Sequence, residues 1–259
     1  MRMKSLSMLF VAVCGSCAAP MPTWDSTDPA SEPAARALLE RSVRAVEGPQ
    51  PVQEIEAHYT GKWGFWVRQI QPEITDARFR QTAVDVLRPG EDWIEQRHMG
   101  PGGQKLVRWD GQEIQVTYPE GREGTAQEKQ AAALVAEAYQ LFLLGPRYIK
   151  THAKGVRSLP DRREKGRLYQ RLIASLRPGL GFSEQDFVVL WIDAETGMPF
   201  RVHFTLEGFE STRGAHADTT YLSWVRINGH AFPVENIERV RGPLRLHAHT
   251  WRAVELSVR

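Results

Sequence analysis

Residues 219–240 read TTYLSWVRINGHAFPVENIERV, two runs rich in β-branched and aromatic residues that meet at Asn228-Gly229. Asn-Gly suits the two-residue type I′ turn, whose central residues both take positive φ and whose twist matches the flanking strands. The stretch therefore predicts an antiparallel hairpin of Thr219–Ile227 with Phe232–Val240. A third run, Leu244–Val258, follows at once, so the end of the chain reads as a meander. Within it Leu244, Leu246, Ala248, Val254 and Leu256 alternate with Arg245, His247, His249, Trp251 and Glu255, which predicts one core face and one polar face.

The same pattern extends upstream. Phe187–Ile192 and Phe200–Leu206 flank the turn Asp193-Ala194-Glu195-Thr196-Gly197, Leu168–Leu176 precedes them, and strands resume from about Tyr148. The mixed-sign run Asp161-Arg162-Arg163-Glu164-Lys165 reads as a solvated turn. In the first half, Val52–Thr60, Trp63–Gln71, Phe79–Arg88, Glu91–His98, Lys105–Trp109 and Glu113–Tyr118 are short and separated by Gly, Pro or Asp-Gly, as strands are. Two segments differ. Ala126–Leu144 lacks Gly and Pro, places Leu134, Ala138, Leu141 and Phe142 at helical spacing, and stops at Gly145-Pro146. Near the start, Ser31 can cap a helix that tolerates Pro33 in its first turn and sets Leu38, Leu39, Ser42, Val43 and Val46 on one side before Gly48. Consecutive strands without crossover helices imply an antiparallel sheet. The expected class is mainly antiparallel β (α+β): a strongly curved, unclosed β half-barrel with helices covering its concave side, formed by residues 34–259 as one domain.

The N-terminus carries a different signal. Arg2 and Lys4 precede the apolar run MLFVAV at 8–13 and the small residues Gly15, Ser16, Ala18 and Ala19, the order of a secretory signal peptide. That run is shorter than the ~20 apolar residues a membrane-spanning helix needs. Gly15-Ser16-Cys17 resembles the lipobox of bacterial lipoproteins. The resemblance implies removal of residues 1–16 and lipidation of Cys17, in preference to Cys14, which bulky Val13 precedes. Three acyl chains would make the membrane attachment permanent, and the lack of Asp after Cys17 points to the outer membrane. Cleavage after Ala18 or Ala19, leaving a secreted chain, is the alternative. Residues 18–33, AAPMPTWDSTDPASEP, read as a flexible tether that spans about 50 Å when extended.

Loss of Arg2 and Lys4 lowers the 33 Lys and Arg to 31, equal to the 31 Asp and Glu, so the processed chain is formally neutral. That balance excludes the concentrated basic face that nucleic acids require. Both cysteines, Cys14 and Cys17, lie in the leader segment, so the remaining body carries no thiol chemistry.

The order of elements carries a further likeness: a first helix ending at Gly48, then Ile55-Glu56-Ala57-His58-Tyr59, the Trp109-Asp110-Gly111 turn, Trp191-Ile192-Asp193-Ala194-Glu195-Thr196-Gly197-Met198-Pro199, and Ile227-Asn228-Gly229-His230-Ala231-Phe232-Pro233. Across Ala34 to Leu256 this order resembles the LolA/LolB-like superfamily of bacterial envelope proteins. The resemblance implies an open barrel whose cavity, between sheet and helix, takes acyl chains or lipidated proteins. A lipidated N-terminus is closer to the receptor member than to the soluble carrier. No segment of the sequence stands out as the exposed apolar loop of that receptor.

An aromatic-lined pocket is the candidate site, assembled from Trp63, Phe65, Trp93, Trp109, Leu141, Phe142, Trp191 and Trp224, with Trp63, Phe65 and Val67 sharing one strand face. His247 and His249 would share a face that His203 and His216 could approach, yet without HExxH, a Cys pair or EF-hand spacing the set reads as a solvated barrel face, and no metal or cofactor is expected. Gly-x-Ser-x-Gly is missing from the sequence, and the carboxylates are scattered among Arg and Gln. Gly100-Pro101-Gly102-Gly103 precedes a strand, so it is a loop and not a phosphate cradle. The chain reads as a non-enzymatic binding protein; a protein-interaction or envelope-stress sensor module of the same fold is the alternative.

Overall fold

The computed structural model describes residues 20–22, 24, 31–241 and 245–259. The signal segment, Cys17, most of the tether and Leu244 lie outside them. Twelve strands form one antiparallel sheet: β1 (Ile55–Trp63), β2 (Thr82–Arg88), β3 (Trp93–Gly100), β4 (Gly103–Trp109), β5 (Ile114–Thr117), β6 (Ala153–Glu164), β7 (Arg167–Leu176), β8 (Asp186–Asp193), β9 (Pro199–Thr205), β10 (His216–Ile227), β11 (His230–Arg241) and β12 (Arg245–Val258). Their order is β5-β4-β3-β2-β1-β12-β11-β10-β9-β8-β7-β6. The chain thus starts in the middle, winds out to the β5 edge, crosses to the β6 edge and winds back until β12 pairs with β1. The two edges stay apart, and the sheet is an unclosed half-barrel.

The crossing is made inside the curve by α4 (Ala126–Leu144) and α5 (Pro146–His152). At 1.5 Å per residue α4 extends about 28 Å, and every residue from Ala131 to Leu144 is buried. A helix in that position has no solvent face, which explains why its sequence is apolar almost all round. Its first turn is fixed by a capping box, Thr125 with Glu128. Its last turn stops at Gly145, whose φ of 56° a side chain would resist. Of its buried polar residues, Glu137 accepts from Tyr148 Oη at 2.6 Å and from the Gly181 amide at 2.8 Å. The remaining described α-helices are α1 (Pro33–Val46), which buries Ala35, Leu39, Ser42, Val43 and Val46, and the short α2 (Phe65–Ile70) and α3 (Pro72–Thr75). Among the described residues no helix is long and apolar enough to cross a membrane.

Several expectations are corrected. Trp63–Gln71 is not a strand. β1 ends at Trp63, the Gly64 amide donates to Ala248 O, and a Cβ on Gly64 would stand 2.0 Å from His247 O, so the chain passes tightly over β12 and then turns into α2. Its aromatic and β-branched composition suited a strand, but tertiary contact decided the conformation. Strands resume at Ala153 and not near Tyr148, because Pro146 opens α5. Arg162–Glu164 belong to β6, and the turn is Lys165-Gly166, both at positive φ. Ser31 does not cap α1; its Oγ accepts from the Val156 amide, and Glu32 holds the cap position.

The faces of β12 are also reassigned. Glu238 pairs with His249 but Arg239 with His247, and His58 pairs with Glu255 but Tyr59 with Ala253, so β12 bulges at Ala248 and again at Val254. One extra residue moves every following side chain to the other face. Trp251, expected outside, is therefore 1 % exposed, and Val254, expected inside, is 65 % exposed. Periodicity read straight through two bulges gives the wrong face.

Candidate functional site

Between the sheet, α4 and the α2–α3 segment lies a cleft of about 60 Å³. Phe204 of β9, Val240 of β11 and Ala248 of β12 line the sheet side, Leu134, Ala138 and Phe142 the α4 side, and Val67 and Ile74 the roof. That roof is a strap fixed at both ends. At one end Gly64 is bonded to β12; at the other Asp76, in the left-handed region at φ 38°, accepts from Lys105 Nζ at 2.6 Å and Tyr118 Oη at 3.1 Å. Its middle is latched: Gln71 Nε2 donates to Ser211 O at 3.0 Å, Ser211 Oγ to Gln71 Oε1 at 2.6 Å, and Arg80 Nη1 to Ile74 O at 2.7 Å. Phe65, Trp66 and Ile70 point outward from the strap and are exposed. This is an exposed apolar surface that the sequence did not reveal as a loop.

The floor of the cleft is polar. The Arg80 guanidinium sits 4.7 Å from the Trp63 ring centroid and 5.5 Å from that of Tyr139, a cation held between two aromatic faces. Trp63 stacks on His249 at 4.0 Å, and His249 Nδ1 lies 3.2 Å from Tyr139 Oη. Burial, then the charge of Arg80, holds His249 well below the usual histidine range, so its ring is neutral. Burial pushes the Glu238 carboxyl up to about 7. Together these groups can bury an apolar chain and set a polar end beside Arg80.

Of the residues singled out in the sequence, Trp63 and Phe142 line this cleft, and Leu141 is wholly buried behind it. Trp109 is core, edge-on to Phe182 at 5.3 Å, and Trp224 packs partly buried beside Tyr221. Phe65 is 67 % exposed on α2, so it does not share a face with Trp63. Trp93, under Arg88, alternates outward from the buried Ile94. Trp191 belongs to a separate cluster with Trp24, Ile173 and Val189 on the opposite face of β7 and β8. Trp24 is thereby docked on the sheet, so the tether is not free along its whole length. Arg80, Leu134, Phe204 and Glu238 were missed. The helical spacing of Leu134 with Phe142 was a usable signal; nothing in the sequence set Arg80 apart. His247 is exposed and separated from His249 by the bulge, while His203 Nε2 meets His216 Nδ1 at 2.7 Å. Among the described residues no three His, Cys, Asp or Glu side chains are grouped to hold a metal ion.

The molecule is an open antiparallel half-barrel with a buried crossing helix and a strapped apolar cleft. No protein-family model matches the chain, and no curated protein matches it. Among solved structures it is similar to a LolA superfamily protein from Nitrosomonas europaea, at 11% identity over 87% of this chain and 93% of that one with a TM-score of 0.55. It is also similar to a DUF1329 family protein from Desulfovibrio piger, at 13% identity over 90% and 94% with a TM-score of 0.50. The fold is LolA-like.

Proposed function

We propose that this protein binds the acyl chain of a lipid or lipidated protein in the cleft beneath the α2–α3 strap, and that it is exported and held at the periplasmic face of the outer membrane by lipid on Cys17. The observation that carries the reading is the strap itself: an apolar cleft roofed by a segment fixed at its ends and latched by side chains at its middle. As it stands, 60 Å³ has room for about two water-sized groups at ~30 Å³ each, so a chain enters only if the strap lifts. Breaking three hydrogen bonds at about 0.5–1.5 kcal/mol each and exposing Val67 at about 1.5–3 kcal/mol costs roughly 3–8 kcal/mol. Burial of ten methylenes at about 0.8 kcal/mol each matches the upper figure. Long acyl chains open the strap and short ones do not.

The test is uptake of a fluorescent long-chain fatty acid by the full chain and by a Gln71→Cys/Ser211→Cys variant. Joining the two positions with a bifunctional thiol reagent is expected to abolish uptake, and unjoined protein to take up the probe. Equal uptake in both states would sink the strap mechanism. The small size of the cleft favours one second reading, a protein-interaction module whose interior is structural; failure of every form to bind fatty acid would support it.

A further inference from the structure

The other end of the half-barrel, where β1 and β11 begin, holds a larger hollow of about 340 Å³ between residues 47–52, α5 and the start of β11. This volume falls within the 300–1,000 Å³ of small-molecule sites. Pro49, Pro51, Val52, Pro89 and Leu144 give it apolar walls, and Arg147 lines it. Pro146 at the start of α5 places the Arg147 guanidinium over the Phe232 ring, 4.7 Å from its centroid. Nε donates to Leu144 O at 3.4 Å, Nη1 to His230 Nδ1 at 3.3 Å and Nη2 to Ala231 O at 3.2 Å. Five N–H bonds are available on a guanidinium, so one on each Nη has no acceptor among the described residues.

Among the described residues Arg147 has no ion-paired carboxylate. The acidic groups around it are held elsewhere or lie at the margin. Glu47 stands exposed on the rim; Asp92 accepts from His152 Nε2 at 2.9 Å; Glu137 is engaged by Tyr148 Oη at 2.6 Å. His230 offers Arg147 no further acceptor, because Nδ1 is shared between the Gly48 amide at 2.9 Å and Arg147 Nη1 at 3.3 Å, and Nε2 faces Gln50 O at 2.7 Å. Burial lowers Arg147 to about 10, which leaves it cationic at neutral pH. This largely buried cation is offset in part by the charge of Glu47, exposed on the rim, and two N–H bonds on adjacent nitrogens match a carboxylate or phosphate in the bidentate manner.

We propose that this hollow binds a small organic anion, its carboxylate or phosphate paired with Arg147 and its apolar body lying against Pro49, Pro51, Val52 and Leu144. The site is separate from the strapped cleft and takes a charged head first.

Isothermal titration of the full chain with octanoate, octyl phosphate, inorganic phosphate and 1-octanol tests this. One or both octyl anions should bind, and which of them binds more tightly identifies the head group. Arg147→Met should weaken that binding at least tenfold, and Pro51→Trp, which fills the exposed mouth, should abolish it while leaving the thermal midpoint unchanged. If Arg147→Met fails to fold, Pro51→Trp decides alone. Binding under the strap depends on neither position, so octyl anions bound equally by wild type and both variants overturn the proposal. Octanol binding as tightly as the anions, inorganic phosphate binding as tightly as octyl phosphate, or no anion binding overturns it as well.

Discussion

Replacing Asp85 by asparagine should stabilise the protein, and increasingly so as the pH rises. Asp85 is wholly buried on the concave side of β2, where Gln96 Nε2 donates to its Oδ2 at 2.9 Å. Its Oδ1 and the Gln96 Oε1 are both buried acceptors without a donor. Burial raises the Asp85 carboxyl from 3.8 to about 7, against the lowering effects of the Gln96 bond and the Arg80 charge. The folded state therefore favours the protonated acid. That contribution is fully present below pH 3.8 and is lost as the pH rises towards 7. The whole penalty is about 4 kcal/mol at 1.36 kcal/mol per pH unit. Asparagine carries no charge and can offer an N–H to Gln96 Oε1 while still accepting from Nε2. Urea unfolding at pH 8 should show Asp85→Asn more stable by about 2–4 kcal/mol, narrowing to within about 1 kcal/mol near pH 4. In a domain of this size that is roughly 4–16 °C in Tm at pH 8. A stability difference independent of pH, or a loss of stability at pH 8, would refute the reasoning.

Phe142→Ala, which removes a ring packed 5.4 Å from Phe204, should cost about 3–5 kcal/mol. Laurate at 100 times its Kd should return about 2.7 kcal/mol of that loss in a thermal melt, and no return would argue against the enlarged cleft taking acyl chains. Gln71→Ala, which removes two of the latch hydrogen bonds, should cost about 1–3 kcal/mol in urea unfolding and speed fatty-acid uptake in stopped flow. Thr125→Ala, by removing the cap of α4, should cost about 1 kcal/mol in urea unfolding.

Much of the sheet was legible because its strands are bounded by turn residues and most pair with a sequence neighbour. Ala126–Leu144 was legible to the residue because it lacks Gly and Pro, sets apolar residues at helical spacing and stops at Gly145-Pro146. What escaped was set by contacts between distant residues. The conversion of Phe65–Ile70 to helix depends on how closely Gly64 crosses β12, and the outward turn of Val254 depends on the bulge at Ala248 opposite β11. No local pattern contains either. The site was legible only in its apolar half: Trp63 and Phe142 follow from aromatic content and helical spacing, whereas Arg80 enters the cleft because the strap brings Ile74 O to it. Aromatic content also misled, since Trp93 and Trp191 stabilise the outer face of the sheet beneath arginines.

The most direct test of the central claim is photocrosslinking of the full chain with a long-chain fatty acid bearing a diazirine near its methyl end, followed by peptide mapping. Acyl-chain burial beneath the strap predicts label on the segments containing Val67, Phe142 and Phe204, competed away by unlabelled fatty acid. Label confined to the exposed Phe65, Trp66 and Ile70, or no competable label at all, would contradict it.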